Sequence, residues 1–242
     1  MKISIATLFP EMFKSVLESS IMARAISSGI LDVSLVNIRD YTQQKHNAVD
    51  DYPFGGGDGM LMQVQPVNDC LNDIAKRHEG AEAVRIYMSP TGKKLDDKLA
   101  RELCKKNLVI LCGHYEGIDE RAIEACTDMQ ISIGDYVLTG GELPAMVLID
   151  SVMRHIPGVL GGEQSSSVES FANGLLEYPQ YTRPNVILDK EVPNVLLSGN
   201  HNEIENYRLI KSFERTMLNR PDLLKECVFT KKELKVILKN YL

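Results

Sequence analysis

Over its first 155 residues the chain switches repeatedly between strand-like and helix-like apolar periodicity, and that alternation restricts its possible folds more than any other feature. KISIATLF (2–9) alternates as a strand does. PEMFKSVLESSIMARAISSG (10–29) opens on a proline suited to a helix start, carries apolar residues at helical spacing and ends in glycine. DVSLVNIRDY (32–41) reads as a strand, PVNDCLNDIAKRH (66–78) as a helix, VRIYMS (84–89) as a strand, LDDKLARELCKK (95–106) as a helix and LVILCG (108–113) as a buried strand. A short helix at 118–127, a last strand at 129–134 and an apolar helix at 143–156 complete the series. Repeated strand-helix units predict an α/β fold, a parallel sheet with helices on both faces. Ligands of such sheets bind beyond the carboxyl ends of the strands. MSPTGKK (88–94), CGHYEGIDER (112–121) and ISIGDYVLTGGELPAM (131–146) therefore share one rim and are expected to line one pocket.

After residue 156 the pattern is lost. IPGVLGGEQSSSVESFANG (156–174) is rich in Gly and Ser without sustained periodicity and reads as a linker. Beyond it, 203–219 and 230–241 read as helices separated by a turn at Pro221. The expected organisation is a ligand-binding domain at 1–160, a flexible linker at 161–174 and a small, mainly helical domain at 175–242. The net charge of −6 does not favour a nucleic-acid partner, yet residues 201–242 carry nine Lys or Arg against six Asp or Glu, a mildly basic tail on an acidic body. Five scattered cysteines with no CxxC pair read as reduced, structural thiols. No run of about 18 apolar residues occurs, and the N-terminus reads as a strand rather than a signal peptide, so a cytoplasmic protein with no membrane partner is expected.

The third rim segment holds Gly134, Gly140, Gly141 and Pro144 within eleven residues. It has neither the GxGxxG spacing of dinucleotide folds nor the GxxxxGK[ST] of a phosphate loop, and no cation follows its glycines. Such a turn suits backbone recognition of an adenine edge or a polar small molecule better than a polyphosphate. An isolated Gly-Gly serving only a tight turn is the alternative.

LFPEMF (8–13), DDYPFGGGDGM (50–60), CGHYEGIDER (112–121), IGDYVLTGGELPAM (133–146), IPGVLG (156–161), SFANGLLEYPQYTRP (170–184) and VPNVLLSGNH (192–201) occur in this order. Together they resemble the bacterial tRNA (guanine-N1)-methyltransferase (TrmD) family, from the first strand to the C-terminal helices. The resemblance implies a SPOUT fold, with a trefoil knot tied at the C-terminal end of the sheet domain, and a homodimer whose active sites lie at the subunit interface. It implies transfer of a methyl group from S-adenosylmethionine to N1 of guanosine 37 of tRNA, immediately 3′ of the anticodon. The family's donor pocket maps onto Gly113 and the run Ile133, Gly134, Asp135, Tyr136, Val137 and Leu138, with Ser89, Pro90, Gly140 and Gly141 as further walls. The family's Mg2+ dependence has no recognisable ligand cluster in this sequence, and no metal-binding residue is assigned.

The reaction itself dictates two further groups. Guanine N1 carries a proton at neutral pH, so a general base must remove it, and the charge that then grows on O6 calls for a cation. In the family the base is a linker aspartate just before Ser-Phe, and the cation is an arginine near the end of the helix after the knot loop. By position these are Glu169, in SVESF, and Arg154; Glu169 keeps the carboxylate on an arm one methylene longer. A solvated linker charge is the plainer reading of Glu169. Glu116 matches a family acidic residue near the methionine moiety and the target base, and Asp50 and Gly59 lie in a loop that holds the target guanine. His114 and His155 are assigned no catalytic role; Arg121 and His201 are at best tRNA contacts. Arg208, Lys211 and Arg215 fall on one helix face and are expected to meet tRNA phosphates, or else to form a merely solvated face. The rival readings are a SPOUT methyltransferase for another RNA nucleotide and a non-catalytic RNA-binding protein.

Overall fold

The computed structural model describes residues 1–78, 82–161 and 169–241. The chain divides into two compact units, Met1–Glu163 and Gln164–Leu242. Of the linker expected at 161–174, residues 162–168 lie outside the described residues.

The first unit runs β1 (Lys2–Thr7), α1 (Lys14–Leu17), α2 (Ser20–Ser27), β2 (Asp32–Asn37), β3 (Asp50–Asp51), β4 (Leu61–Met62), α3 (Val64–Arg77), β5 (Ala83–Lys94), α4 (Asp97–Leu103), β6 (Asn107–Cys112), α5 (Glu120–Cys126), β7 (Met129–Ser132) and α6 (Glu142–Met153). Five strands form one sheet in the order β2-β1-β6-β5-β7, every neighbouring pair parallel. The two-residue period of the strands sorts their side chains between two cores. Ile3, Ile5, Ile86, Leu108 and Ile110 face α2, α4 and α6, whereas Ala6, Tyr87, Val109 and Leu111 face α3 and α5. Strand β6 is buried on both sides from Leu108 to Cys112, which explains its unbroken apolar run.

Three expectations change. The helix expected at 10–29 is a 3-10 turn at Pro10–Phe13 followed by α1 and α2, with a break at Ser19–Ser20, where Ser20 takes a left-handed φ of 51°. Serine side chains compete with helical backbone pairing, and the break lets both Phe13 and Met22 reach the core. Strand β5 extends to Lys94 rather than ending at 89, because its pairing with β7 resumes after an irregularity between Met88 and Lys93. The polar stretch between β2 and α3 contains the small antiparallel hairpin β3–β4.

The second unit contains a hairpin of β8 (Val186–Ile187) and β9 (Lys190–Glu191), then α7 (Asn194–Leu197), α8 (His201–Asn219) and α9 (Lys231–Tyr241). Asn200 caps α8 by accepting from the Glu203 N–H. Its core is thin: Leu175, Ile237, Ser212 and Thr216 are buried, and Phe213 meets Phe229 and Tyr241 edge-on. The Thr216 hydroxyl ties the unit together, accepting from Leu176 N–H at 2.8 Å and donating to Ser212 C=O at 2.7 Å. All five cysteines are free thiols. Among the described residues no helix is long and apolar enough to cross a membrane.

Two buried histidines of the first unit make stability depend on pH. Burial, with Lys2 nearby, lowers the pKa of His78; burial, with Arg101 nearby, lowers that of His155 although Asp97 lies 3.1 Å from its ring. In both rings Nδ1 is buried without a hydrogen-bond partner, so the charged form would carry an unpaired N–H. Below the ordinary value of 6.5 the unfolded chain binds protons that the folded chain refuses, and stability therefore falls as pH drops through 6.5 towards the depressed folded values. Urea denaturation at a series of pH values should show this decline. His78 Nε2 lies 2.9 Å from the Ser4 hydroxyl, and His78→Gln, which keeps a polar group there but cannot titrate, should remove the His78 share of the decline.

Candidate functional site

The three rim segments converge on a cavity of about 210 Å3 beyond the ends of β6 and β7 and beside the irregularity in β5. Ser89 and Pro90 form one wall from β5. Gly113 and Glu116 come from the loop after β6, and Ile133, Gly134, Tyr136, Val137, Leu138, Gly140 and Gly141 from the loop after β7. Asp135 is not among the lining residues; its side chain is 92% exposed and lies 3.6 Å from Lys94.

Backbone proximity builds this cavity. The Gly141 N–H donates to Gly113 C=O at 2.8 Å, and a Cβ on Gly141 would lie 2.7 Å from Cys112 Cα and 2.9 Å from Gly113 N. Only a residue without a side chain lets the two loops touch there. The Ser132 hydroxyl holds the turn that follows β7, donating to Gly134 C=O and accepting from Gly134 N–H. Tyr136 and Val137 project largely into solvent at the cavity mouth.

Below the floor lies a carboxylate that the sequence pattern did not mark. Glu142, in the first turn of α6, is 2% exposed and accepts from the buried Thr7 hydroxyl at 2.8 Å. The α6 N-terminus also favours its negative charge. His114 Nδ1 lies 3.8 Å away, and the His114 ring packs between Phe9 and Tyr115. Tyr87, His114 and Tyr115 line the cavity too. Tyr87 is one residue before the rim segment and buried by the sheet, which raises its phenol pKa. Its place in the strand alternation marks it as core, so nothing local distinguishes it as a wall.

The glycine-rich loop after β3 reaches the same rim. Gly59, at φ 93°, lies so close to Glu116 that a Cβ there would be 2.3 Å from Glu116 Cγ. The Glu116 N–H donates to Met60 C=O, and the Met62 N–H to Gly117 C=O. Asp50 starts the hairpin, its backbone paired with Met62. Glu116 is thus placed at the junction of this loop and the cavity.

The remaining candidates stand elsewhere. Arg154 follows the last residue of α6, about 18 Å along the helix axis from the end that closes the cavity. Glu169 belongs to the second unit, where its C=O accepts from Ala172 N–H. On α8 the Arg208 guanidinium lies over the Tyr178 ring at 4.8 Å, Lys211 pairs with Glu214 at 2.7 Å, and Arg215 donates to Glu177 C=O at 2.9 Å. Among the described residues no group of three or more His, Cys, Asp or Glu side chains is placed to hold a metal ion.

The lining includes no Lys or Arg and one carboxylate, Glu116. Such a cavity disfavours a polyphosphate and suits a ligand that is read by backbone groups, flanked by aliphatic side chains and cationic at one end.

Residues 1–226 match the family described as tRNA (Guanine-1)-methyltransferase TrmD. A relative from Ruminiclostridium cellulolyticum, named tRNA (guanine-N(1)-)-methyltransferase, is 58% identical over 224 residues, 92% of this chain and 96% of its own length. One of the same name from Alkaliphilus oremlandii is 54% identical over 238 residues, 96% of each chain. Another from Pasteurella multocida is 52% identical over 238 residues, 98% of this chain and 97% of its own.

The contact beneath the cavity has a measurable consequence. Thr7→Val removes the donor to a buried carboxylate while keeping the side chain's shape, and should lower stability by about 1–3 kcal/mol in urea denaturation. Thr7→Ser should restore most of the loss.

Proposed function

The chain belongs to the tRNA (guanine-1)-methyltransferase family, and on that premise we propose that it transfers a methyl group from S-adenosylmethionine to N1 of guanosine 37 of tRNA, in the cytoplasm. The observation that carries the donor assignment is the cation-free, backbone-walled cavity. Bound there, the donor supplies an activated methyl group on a sulfonium. Ile133 and Leu138 would flank its adenine ring, backbone groups of the loops after β6 and β7 would read the ring edge, and the Glu116 carboxylate would face the positive end. Alignment of the acceptor against that methyl group supplies much of the acceleration.

The acceptor side needs a proton removed and a charge held. Glu169 takes the N1 proton on its carboxylate, and Arg154 stabilises the negative charge growing on O6. The loop from Asp50 to Gly59, seated against Glu116, holds the guanine. No residue is assigned to Mg2+.

A homodimer completes this site. Because α6 separates Arg154 from its own chain's cavity by the length of the helix, a second copy is the natural source of the arginine. An apolar surface beside the cavity supports the same reading: Leu143 and Val147 on the outer face of α6 are each about half exposed, and Val137 is 81% exposed. Leu143 and Val147 form an exposed apolar patch over the first two turns of α6, followed on the same face by Asp150, of the kind that marks an interface. The family's trefoil knot is part of this proposal.

A tRNA transcript with guanosine at position 37 should accept labelled methyl groups, and one with adenosine there should not; equal labelling of both would overturn the assignment. Glu169→Gln should slow single-turnover transfer by about 100-fold or more while leaving donor affinity intact. Shared sites predict complementation: chains carrying Arg154→Ala co-expressed with chains carrying Leu138→Asp should regain activity, because one site in the mixed dimer then has an intact cavity and an intact arginine. Failure of the mixture to exceed either variant alone would place both in one chain.

A further inference from the structure

The second unit holds a larger cavity, of about 520 Å3, that none of the assigned roles uses. It opens between the segment Tyr178–Asn185, the end of α7 and one face of α8, and its volume is within the range typical of small-ligand sites. Its chemistry is the reverse of the donor cavity. Arg183 and Arg208 line it and no Asp or Glu does, in a chain whose net charge is −6. Tyr178 and Tyr181 supply two phenol rings, and Val192, Leu196 and Ile204 an apolar base. Two of these groups are already held in place: Arg208 stacks over Tyr178 at 4.8 Å, and the Tyr207 hydroxyl hydrogen-bonds to Tyr181.

Each class of lining group narrows the ligand. Guanidinium groups without a competing carboxylate call for an anion, and Arg is suited to phosphate by its planar fork of donors. Aromatic rings beside an apolar base call for a flat, unsaturated ring, and unstacked bases of single-stranded RNA bind in this way. A bare phosphate would leave the tyrosines unused, and an uncharged ring would leave the arginines unpaired.

We infer that this cavity takes one unstacked nucleotide of the substrate RNA, its base against Tyr181 and Tyr178 and its phosphate at Arg183 and Arg208. The inference rests on the reading of tRNA as substrate and adds a second nucleotide subsite, separate from the one that receives the methyl group. It assigns Arg208 to this cavity rather than to a general basic face that also includes Lys211 and Arg215, whose side chains bond within the unit.

The test is fluorescence anisotropy of the full-length protein with a labelled tRNA transcript bearing guanosine at position 37, at several salt concentrations. Tyr181→Ala should weaken binding about five- to a hundredfold, with the salt dependence unchanged, whereas Tyr181→Phe should bind close to wild type. Arg208→Gln should weaken binding and reduce the salt slope by about one. Adenosylmethionine affinity, measured by calorimetry, and the urea midpoint should stay at wild-type values in Tyr181→Ala, which separates a lost contact from a lost fold. Wild-type affinity in Tyr181→Ala, or an equal loss in Tyr181→Ala and Tyr181→Phe, would overturn the inference. Guanosine monophosphate titrated alone should bind only weakly; tight binding abolished by Tyr181→Ala would assign the cavity to a free nucleotide and overturn it as well. If the wild-type protein neither binds nor methylates the transcript, the tRNA reading fails. If it does both and the variants are silent, only the second subsite fails.

Discussion

The backbone contact between Gly141 and Gly113 is the constraint on which the candidate site depends. At that point the loop leaving β7 lies directly on the loop leaving β6, N–H to C=O, with no room for a Cβ. The contact starts α6, sets the direction in which that helix crosses the sheet, and lowers Glu142 into the interior, where Thr7 meets it. The cavity is what remains between these loops and the irregular stretch of β5 at Ser89 and Pro90. A side chain at position 141 would push the segments apart and open all of these contacts at once.

The two cavities differ in the charge of their linings. The rim cavity has backbone walls, a single carboxylate and no Lys or Arg, a setting that favours a sulfonium over a phosphate. In the second unit Arg183, Arg208 and two tyrosines surround a separate cavity with no Asp or Glu in its lining. A protein that brings a cationic small molecule to a polyanion gains from this separation, since either ligand in the other's cavity would meet like charge or unpaired groups. The same logic explains why the overall negative charge says little about the partner.

Much of the fold was legible because its signal is local. The alternation in KISIATLF and the unbroken apolar run of LVILCG anticipated strands open on two faces, and both cores are there. The misreadings are equally local in origin. The break at Ser19–Ser20 and the extension of β5 through Pro90 both satisfy tertiary packing, and neither has a periodicity of its own. Most of the cavity's lining was legible from three rim segments, among them His114, which was given no catalytic role, whereas Tyr87 and the buried Glu142 beneath the cavity were not singled out.

The sequence by itself determined the parallel sheet, the rim on which a ligand would sit, the absence of a phosphate loop and the family, because each of these is written in runs of adjacent residues. Only the tertiary structure decided that Thr7 and Glu142, 135 positions apart, share a hydrogen bond, that Gly59 abuts Glu116, and that Tyr178, Tyr181, Arg183 and Arg208 surround one cavity. Such pairings arise where the folded backbone crosses itself. No short-range pattern records which distant segments meet there, and burial then turns a polar side chain that looks solvated in sequence into a fixed, partnered group.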